Sequence, residues 1–224
     1  FDLDDLKNLD RDGLLIKSDF ITKVQSKTLL DFFKYNEKNS ELLNNQNHIT
    51  RKLEIKNFNG ELNFVKDIEF KIRQLVCISL KKSITNETPQ VSIFEDYYEI
   101  YKKNISDHQD LFHTDVPYDT FKAFIYLNDI SRDNGAFSYI IGSHKISINR
   151  LISEYLGSIN IRKGQDNWEK NLPFKLYQRK RVEYCERDSG SLVLANTSGY
   201  HARGPFNTSK EKRYILYFNY RYLS

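Results

Sequence analysis

The chain has 224 residues, a net charge of +4 and a mean hydropathy of −0.63. A chain of this length usually forms one domain, and it can bury a sizeable core. Because the charge is modest and no stretch approaches the roughly 18 apolar residues of a membrane span, composition indicates neither nucleic-acid binding nor a membrane protein.

The two cysteines indicate the redox environment. Cys77 and Cys185 have neither the spacing of a metal site nor that of a disulfide framework. Since no signal peptide opens the chain, they predict reduced thiols in a cytoplasmic protein. The chain begins at Phe1 and contains no methionine, so we expect that it lacks its native beginning, which leaves additional domains in the full-length chain open.

The first ninety residues are expected to be mostly helical support. Residues 2–10 predict a short acidic helix, and residues 13–20 alternate enough for a strand. Residues 21–43 and 61–82 carry apolar side chains at helical spacing, which is typical of helices that cover a core. Residues 44–60, between these helices, predict a loop and a pair of strands.

From residue 91 onward the pattern becomes that of β structure. Residues 91–105 predict a strand or hairpin, and a tight turn at Asp133-Asn134-Gly135 separates the next two strands. The strands expected after the first lie at 121–130, 136–142, 181–188, 189–197 and 212–223.

An insertion interrupts this rhythm at residues 146–178. It begins as a helix at 148–156 and continues as a polar segment around Trp168, which suits a lid or a substrate-facing loop. The basic run Arg179-Lys180-Arg181 that follows suits a solvated surface, with contact to an anionic substrate as the alternative.

Helices first and many short strands later, without alternating strand and helix, predict a mainly β fold with flanking helices. The architecture expected is a double-stranded β-helix (a jelly roll, cupin-like) backed by N-terminal helices. We expect one domain over residues 1–224, with 1–90 as support and 91–224 as the jelly-roll core.

Two His-x-Asp triplets occur close together, His108-Gln109-Asp110 and His113-Thr114-Asp115. Residues i and i+2 of an extended strand point to the same face, so either histidine and its aspartate can reach one metal ion. A polar, loop-like run precedes the first triplet, whereas the apolar pair Leu111-Phe112 precedes the second. We therefore prefer His113 and Asp115 as ligands and keep His108 and Asp110 as the alternative.

A distal histidine and two arginines complete the candidate site. His201 follows the strand at 189–197, and two histidines with one carboxylate form a facial triad that binds iron(II) and leaves positions open. Arg213 opens the last strand, where a buried guanidinium requires a partner. That partner is either the carboxylate of a bound dicarboxylate, held by two hydrogen bonds, or an Asp or Glu in a structural ion pair. Arg203 is the rival anchor.

Residues 111–145 and 188–220 resemble the phytanoyl-CoA dioxygenase-like branch of the iron(II)/2-oxoglutarate-dependent oxygenases. In that family a His-x-Asp precedes a strand, an Asn-Gly turn and a Gly-Ser-His-Lys close, and a distal His precedes an Arg by about a dozen residues. The resemblance covers residues 95–222 well and residues 11–35 more loosely.

The resemblance implies a set of site residues. Iron(II) would be bound by His113, Asp115 and His201, while Arg213 holds the cosubstrate 2-oxoglutarate and O2 is consumed. Lys122 lies at the family's usual distance from the first ligand and, like Arg203, is a further candidate for cosubstrate contact. Of the strand residues on one face, Lys122, Tyr126 and Asn128, one or more would line the pocket unless that face is solvated. His144, in the Gly-Ser-His-Lys segment, would be structural, and His48 is expected to lie in a polar loop without a role.

The function implied is a dioxygenase that hydroxylates a C–H bond of a small-molecule or sugar-type metabolite. An aspartate at the carboxylate position favours hydroxylation over halogenation. Two alternatives stay open: a cupin-like metalloprotein without 2-oxoglutarate, which would not need Arg213, and a non-catalytic carbohydrate-binding jelly roll, which would explain the 15 tyrosines. The expected partner is a small molecule, with neither nucleic acid nor membrane involved.

Overall fold

Antiparallel strands in two sheets, with helices packed against the larger sheet, make up the part of the chain described by the computed structural model. The described residues are 1–45, 48–56, 58–80, 90–98, 112–116, 118–148, 150–152, 155, 181–204 and 211–221. The helices are α1 (Leu3–Asp12), α2 (Lys23–Tyr35) and α3 (Phe64–Leu80). The strands are β1 (Leu14–Lys17), β2 (Glu41–Asn45), β3 (His48–Glu54), β4 (Val91–Tyr98), β5 (Thr120–Tyr126), β6 (Phe137–Ile140), β7 (Val182–Tyr184), β8 (Leu192–Asn196), β9 (His201–Arg203) and β10 (Arg213–Arg221).

The larger sheet has seven strands in the order β1-β8-β5-β10-β4-β3-β2, and the smaller has three in the order β7-β6-β9. Neighbouring strands in both sheets are antiparallel. Strands distant in sequence are neighbours in each sheet, as in a double-stranded β-helix. The predicted mainly β jelly roll backed by N-terminal helices is confirmed.

Each face of the larger sheet is covered by its own core. Side chains alternate along β5 and β10, so Ile125 and Leu216 face the helices, where they pack with Ile72 of α3. Ile215, one residue from Leu216, faces the smaller sheet and packs with Tyr139 of β6. The space between the two sheets is therefore a second core, and the cavity described below opens within it.

Local sequence signals fix the ends of α1. Asp2 accepts a hydrogen bond from the backbone of Asp5, and the side chain of Asp5 accepts one from the backbone of Asp2. The helix ends at Gly13, whose φ of +73° favours glycine. The carbonyl of Gly13 accepts a hydrogen bond from Asn196 N, so the end of α1 is tied directly to β8.

Some N-terminal boundaries differ from those expected. The helix predicted over 21–43 ends at Tyr35, and a 3-10 turn and β2 follow it. The reason is tertiary: residues of β2 pair with β3, and this pairing outweighs the helical spacing of Leu42, which is exposed. The strand predicted over 13–20 is the shorter β1. In the described part of residues 1–90, the strands β1, β2 and β3 join the larger sheet alongside the helices.

The remaining boundaries agree more closely. The helix predicted over 61–82 is α3, and the region 44–60 holds β3 and the end of β2. Gly135, in the turn before β6, has a φ of +84°, a left-handed conformation that favours glycine. The strands expected from residue 91 onward appear as β4, β5, β6, β7, β8 and β10. Residues 156–180, with Trp168 and most of the predicted insertion, lie outside the described residues, as do residues 99–111.

Neither cysteine forms a disulfide: Cys77 is half-buried and Cys185 is buried, both as free thiols. No helix in the described ranges is both long enough and apolar enough to span a membrane.

The packing of α3 yields a matched test of the helix-side core. Ile72 is 0% exposed, whereas Ile78 in the same helix is 58% exposed. Ile72→Ala is expected to lower the free energy of unfolding by about 2–5 kcal/mol because it leaves a cavity. Ile78→Ala is expected to change it by less than about 0.5 kcal/mol. Chemical denaturation of both variants measures the difference, and equal losses would contradict the described packing.

Candidate metal centre

The candidate centre forms where the segment 112–116 runs antiparallel to the start of β9. The backbone N–H of His113 donates to the carbonyl of His201, and the N–H of His201 donates to the carbonyl of His113, both at 2.9 Å. The N–H of Asp115 donates to the carbonyl of Thr197 at 3.1 Å. These bonds hold His113 and Asp115 beside His201, although His113 forms an isolated bridge and is not part of a regular strand.

Three donor atoms lie close together where these two segments pair. One ligand atom from each of His113, Asp115 and His201 lies within 4.8 Å of the other two. Oδ1 of Asp115 lies 3.7 Å from Nε2 of His201. Two imidazoles and one carboxylate on one side of a cavity are the donor set of a facial triad. His108 and Asp110, the alternative pair, lie outside the described residues.

A backbone carbonyl orients the ring of His201. Nδ1 of His201 lies 2.9 Å from the carbonyl oxygen of Gly199. Because a carbonyl only accepts, Nδ1 carries the proton and Nε2 keeps the lone pair that a metal needs. Burial, and next the neighbouring His113, lower the pKa of His201 to about 4. The ring is therefore neutral at pH 7 and able to bind a cation.

Asp115 is ionised in the same conditions. Burial opposes its ionisation, but the charge of Lys122 and then the imidazole of His201 outweigh burial, and the pKa of Asp115 is lowered. Nζ of Lys122 lies 2.7 Å from Oδ2 of Asp115. That oxygen is buried. Side-chain hydrogen bonds to Lys122 and then Thr197 also lower the pKa of Asp115.

A cavity of about 240 Å³ opens beside the three donor atoms. One wall is a chain of aromatic rings with neighbouring centroids 4.9–5.6 Å apart. These rings belong to Phe94, Phe124, Phe137 and Tyr217. The ring of Phe137 also stacks on His201 at 5.5 Å, so the apolar wall begins at the candidate metal ligand.

Arg213 lines the same cavity and is nearly buried. Its Nε and Nη2 donate to Oδ2 of Asp96 at 3.1 and 2.6 Å, and its Nη1 donates to the carbonyl of Gly135. Thr50 donates to Oδ1 of Asp96 at 2.7 Å. A structural ion pair, the alternative considered from the sequence, is thus present at Arg213. Because the guanidinium also faces the cavity, cosubstrate anchoring stays a prediction.

The other candidates from the sequence are divided between the cavity and the core. Arg203 and Lys122 line the cavity. Tyr126 does not, because it is buried and its hydroxyl donates to the carbonyl of Cys185. Asn128 bonds instead to the backbone of Lys212 and Tyr214.

His144, His48 and Arg181 lie outside the cavity lining. Nε2 of His144 lies 3.1 Å from the carbonyl of Asp10, as suits the structural role implied for it. His48 begins β3 and does not lie in a loop, because it pairs with both neighbouring strands. Arg181 is exposed and contacts Glu183 at 2.6 Å.

Sequence reasoning missed Asp96. The alternation of β4 places Asp96 on the same face as Phe94, and both line the cavity. The pair of adjacent acids Glu95-Asp96 within a predicted strand was the available signal, since a buried carboxylate needs a cation such as Arg213.

Comparison with known proteins yields one family and many similar folds. The family model described as phytanoyl-CoA dioxygenase matches residues 10–214. None of the curated proteins matches the sequence. The crystal structure of SnoN, a non-haem α-ketoglutarate-dependent epimerase from nogalamycin biosynthesis, has a TM-score of 0.66 at 11% identity, covering 96% of this chain and 81% of that chain.

Two further solved structures have the same fold. A Pseudomonas putida prolyl-4-hydroxylase has a TM-score of 0.59 at 12% identity, covering 99% of this chain and 98% of that chain. HygX from Streptomyces hygroscopicus, solved with nickel and 2-oxoglutarate bound, has a TM-score of 0.54 at 14% identity, covering 98% and 86%.

The three-donor cluster generates a metal-binding test. His113→Ala, Asp115→Ala and His201→Ala are each expected to weaken iron(II) binding by at least about 100-fold, because even the loss of an outer partner of a ligand costs 10- to 100-fold. Anaerobic calorimetric titration measures the affinity, and circular dichroism checks the fold.

His144→Ala is the control, since it removes a half-buried histidine outside the cluster. If the His113 and Asp115 variants bind iron as the unmodified protein does, while His108→Ala and Asp110→Ala do not, the upstream triplet is the ligand pair.

Proposed function

Because the chain belongs to the phytanoyl-CoA dioxygenase family of iron- and 2-oxoglutarate-dependent oxygenases, we propose that it hydroxylates a C–H bond of a small-molecule or sugar-type metabolite. The observation that carries the proposal is the cluster of His113, Asp115 and His201 in the lining of the cavity. Its cofactor is iron(II), and it consumes 2-oxoglutarate and O2.

The donor set fits iron(II). His201 is neutral with Nε2 available, Asp115 is ionised, and His113 lies beside them in the same cluster. With 2-oxoglutarate and O2, the iron supplies an oxidation that is coupled to decarboxylation of the cosubstrate to succinate. The chain itself contributes geometry and exclusion of water.

The cosubstrate is expected to lie along the aromatic wall with its distal carboxylate toward Arg213. Arg213 and Arg203 both line the cavity and both are at most 9% exposed, so a carboxylate between them would be bound in a poorly solvated space. The ion pair with Asp96, which lines the same cavity, fixes the plane of the guanidinium. Lys122 lines the cavity near Asp115.

The family leaves the reaction open among several oxidations, and the aspartate in the ligand set favours hydroxylation or a related oxidation over halogenation. An aspartate in the carboxylate position leaves no room for a halide, which argues against halogenation. The similar structures include both a hydroxylase and an epimerase, and at their level of identity they establish the fold alone. The free thiols support a reducing, cytoplasmic setting.

Anaerobic titration separates the proposal from a cupin-like metalloprotein and from a carbohydrate-binding jelly roll. Iron(II) followed by 2-oxoglutarate is expected to produce a weak metal-to-ligand charge-transfer band in the visible region, and admission of air is expected to yield succinate. A cupin-like protein would bind iron without the band, and a carbohydrate-binding module would bind neither. Absence of the band in the unmodified protein would contradict the proposal.

The anchoring of 2-oxoglutarate is a second test. Truncating one partner of a buried charged pair costs roughly 2–5 kcal/mol, so Arg213→Ala is expected to weaken 2-oxoglutarate binding by tens to thousands of fold. Arg213→Lys should restore binding only in part, because an ammonium cannot reproduce the planar fork. Iron affinity should change little. The band intensity, titrated anaerobically, measures binding.

Two further arginine variants complete the experiment. Arg132→Ala is the control, since Arg132 is exposed and pairs with Glu186 away from the cavity. If Arg203→Ala loses 2-oxoglutarate binding while Arg213→Lys and Arg213→Ala keep it, Arg203 is the anchor. If none of these variants affects binding, the assignment of both arginines is wrong.

A further inference from the structure

The two oxygens of the Asp115 carboxylate face different partners. Oδ1 lies 3.7 Å from Nε2 of His201, on the side where the three donor atoms converge. Oδ2 lies 2.7 Å from Nζ of Lys122. One oxygen of the carboxylate therefore faces the candidate metal position, and the other contacts a cation on β5.

This division matters because a carboxylate binds a metal through one oxygen or through both. A facial triad works only if its three ligands leave enough positions open for small molecules. If Asp115 used both oxygens, it would occupy one of the positions that the cosubstrate needs. A side chain that binds the second oxygen of Asp115 would keep that oxygen away from the metal.

We propose that Lys122 is a positioning residue that holds Oδ2 of Asp115 and so restricts the carboxylate to binding the metal through Oδ1 alone. The inference rests on the proposed function and extends it to a residue for which the family resemblance implied cosubstrate contact. Lys122 acts on the open coordination positions through Asp115 and touches neither metal nor cosubstrate.

The surroundings of Lys122 favour this pairing. The side chains of Lys122 and Asp115 are 19% and 20% exposed, so solvent screens the pair less than it screens a surface ion pair. Among the described residues that line the cavity, Asp96 and Asp115 are the anions, and Asp96 is bound by Arg213 and Thr50. Asp115 is therefore the anion that Lys122 can reach in this cavity.

The position of Lys122 along the sheet argues against contact with the distal carboxylate of the cosubstrate. Lys122 lies opposite Asn219 of β10, and Arg213 lies six residues earlier on β10. Six residues of strand span roughly 20 Å, so the two cations belong to opposite ends of the cavity wall. Oδ1 of Asn219 is buried and has no hydrogen-bond partner in the described structure, and it is a neutral acceptor that offers the ammonium no competing charge.

Removal of the Lys122 ammonium is expected to change iron affinity in the direction opposite to that usual for an outer partner of a metal ligand. Removing an outer partner of a metal ligand typically lowers metal affinity or activity 10- to 100-fold. Lys122 is itself positive, so its removal relieves repulsion toward a bound dication and releases Oδ2 to bind the metal. We therefore expect iron to bind as well or better, and 2-oxoglutarate to bind worse.

The test compares Lys122→Met, Lys122→Arg and Lys17→Met with the unmodified protein in anaerobic titrations of iron(II) and then of 2-oxoglutarate. Lys122→Met is expected to bind iron(II) at least as tightly as the unmodified protein and 2-oxoglutarate at least about 10-fold more weakly. Lys122→Arg is expected to recover most of the 2-oxoglutarate affinity. A crystal structure of manganese-loaded Lys122→Met is expected to show both oxygens of Asp115 at bonding distance.

Lys17→Met is a matched control because Lys17 also pairs with a buried aspartate, Asp5, at 2.6 Å, but at the edge strand β1. It should bind both ligands normally, whatever its effect on stability. If Lys122→Met binds 2-oxoglutarate with normal affinity, or loses iron and 2-oxoglutarate together, the inference is wrong. If the unmodified protein binds no 2-oxoglutarate, the proposed function itself fails.

Discussion

Burial of both faces of the larger sheet is the constraint on which the rest of the structure depends. Because side chains alternate along a strand, each central strand must supply one apolar set to the helices and another to the smaller sheet. In β10, Leu216 and Phe218 belong to the first set and Ile215 to the second. The second set is interrupted by polar residues, and the cavity lies where they occur. The site thus interrupts the apolar packing on one face of these strands, while the apolar packing on the opposite face keeps the strands in register.

The same alternation explains how adjacent acids in β4 are both buried. Glu95 faces the helices and contacts Lys212 and the hydroxyl of Tyr214, whereas Asp96 faces the cavity and contacts Arg213. Buried carboxylates persist only when cations and hydrogen-bond donors surround them. In both cases the partner comes from the start of β10, the neighbouring strand. Charge compensation on the two faces therefore adds to the specificity with which β4 and β10 pair.

The sequence predicts local features of this molecule, such as its helices and strands, better than it predicts the pairing of distant strands. The order of helices and strands followed from periodicity, and His113, Asp115 and His201, selected by spacing and resemblance, come together in the structure. The predicted end of α2 was wrong because β2 pairs with β3, a tertiary interaction that the spacing of residues within 21–43 does not reveal. The partner of Arg213 was left open for the same reason, since only the pairing of β4 with β10 brings Asp96 beside it. Pairing between distant strands is what sequence periodicity cannot supply.

The reciprocal backbone hydrogen bonds between His113 and His201 also bear on the order of events in folding. The two residues are 88 positions apart, so closing this contact requires a large loss of chain entropy before any metal can be bound by both. The centre therefore belongs to the late-forming, long-range contacts, and an unfolded chain offers the ion no preformed site. Iron that binds only the folded chain raises its stability by mass action, in proportion to the logarithm of free iron over the dissociation constant. The supply of free iron is therefore expected to raise the stability of the folded chain as well as to fill its centre.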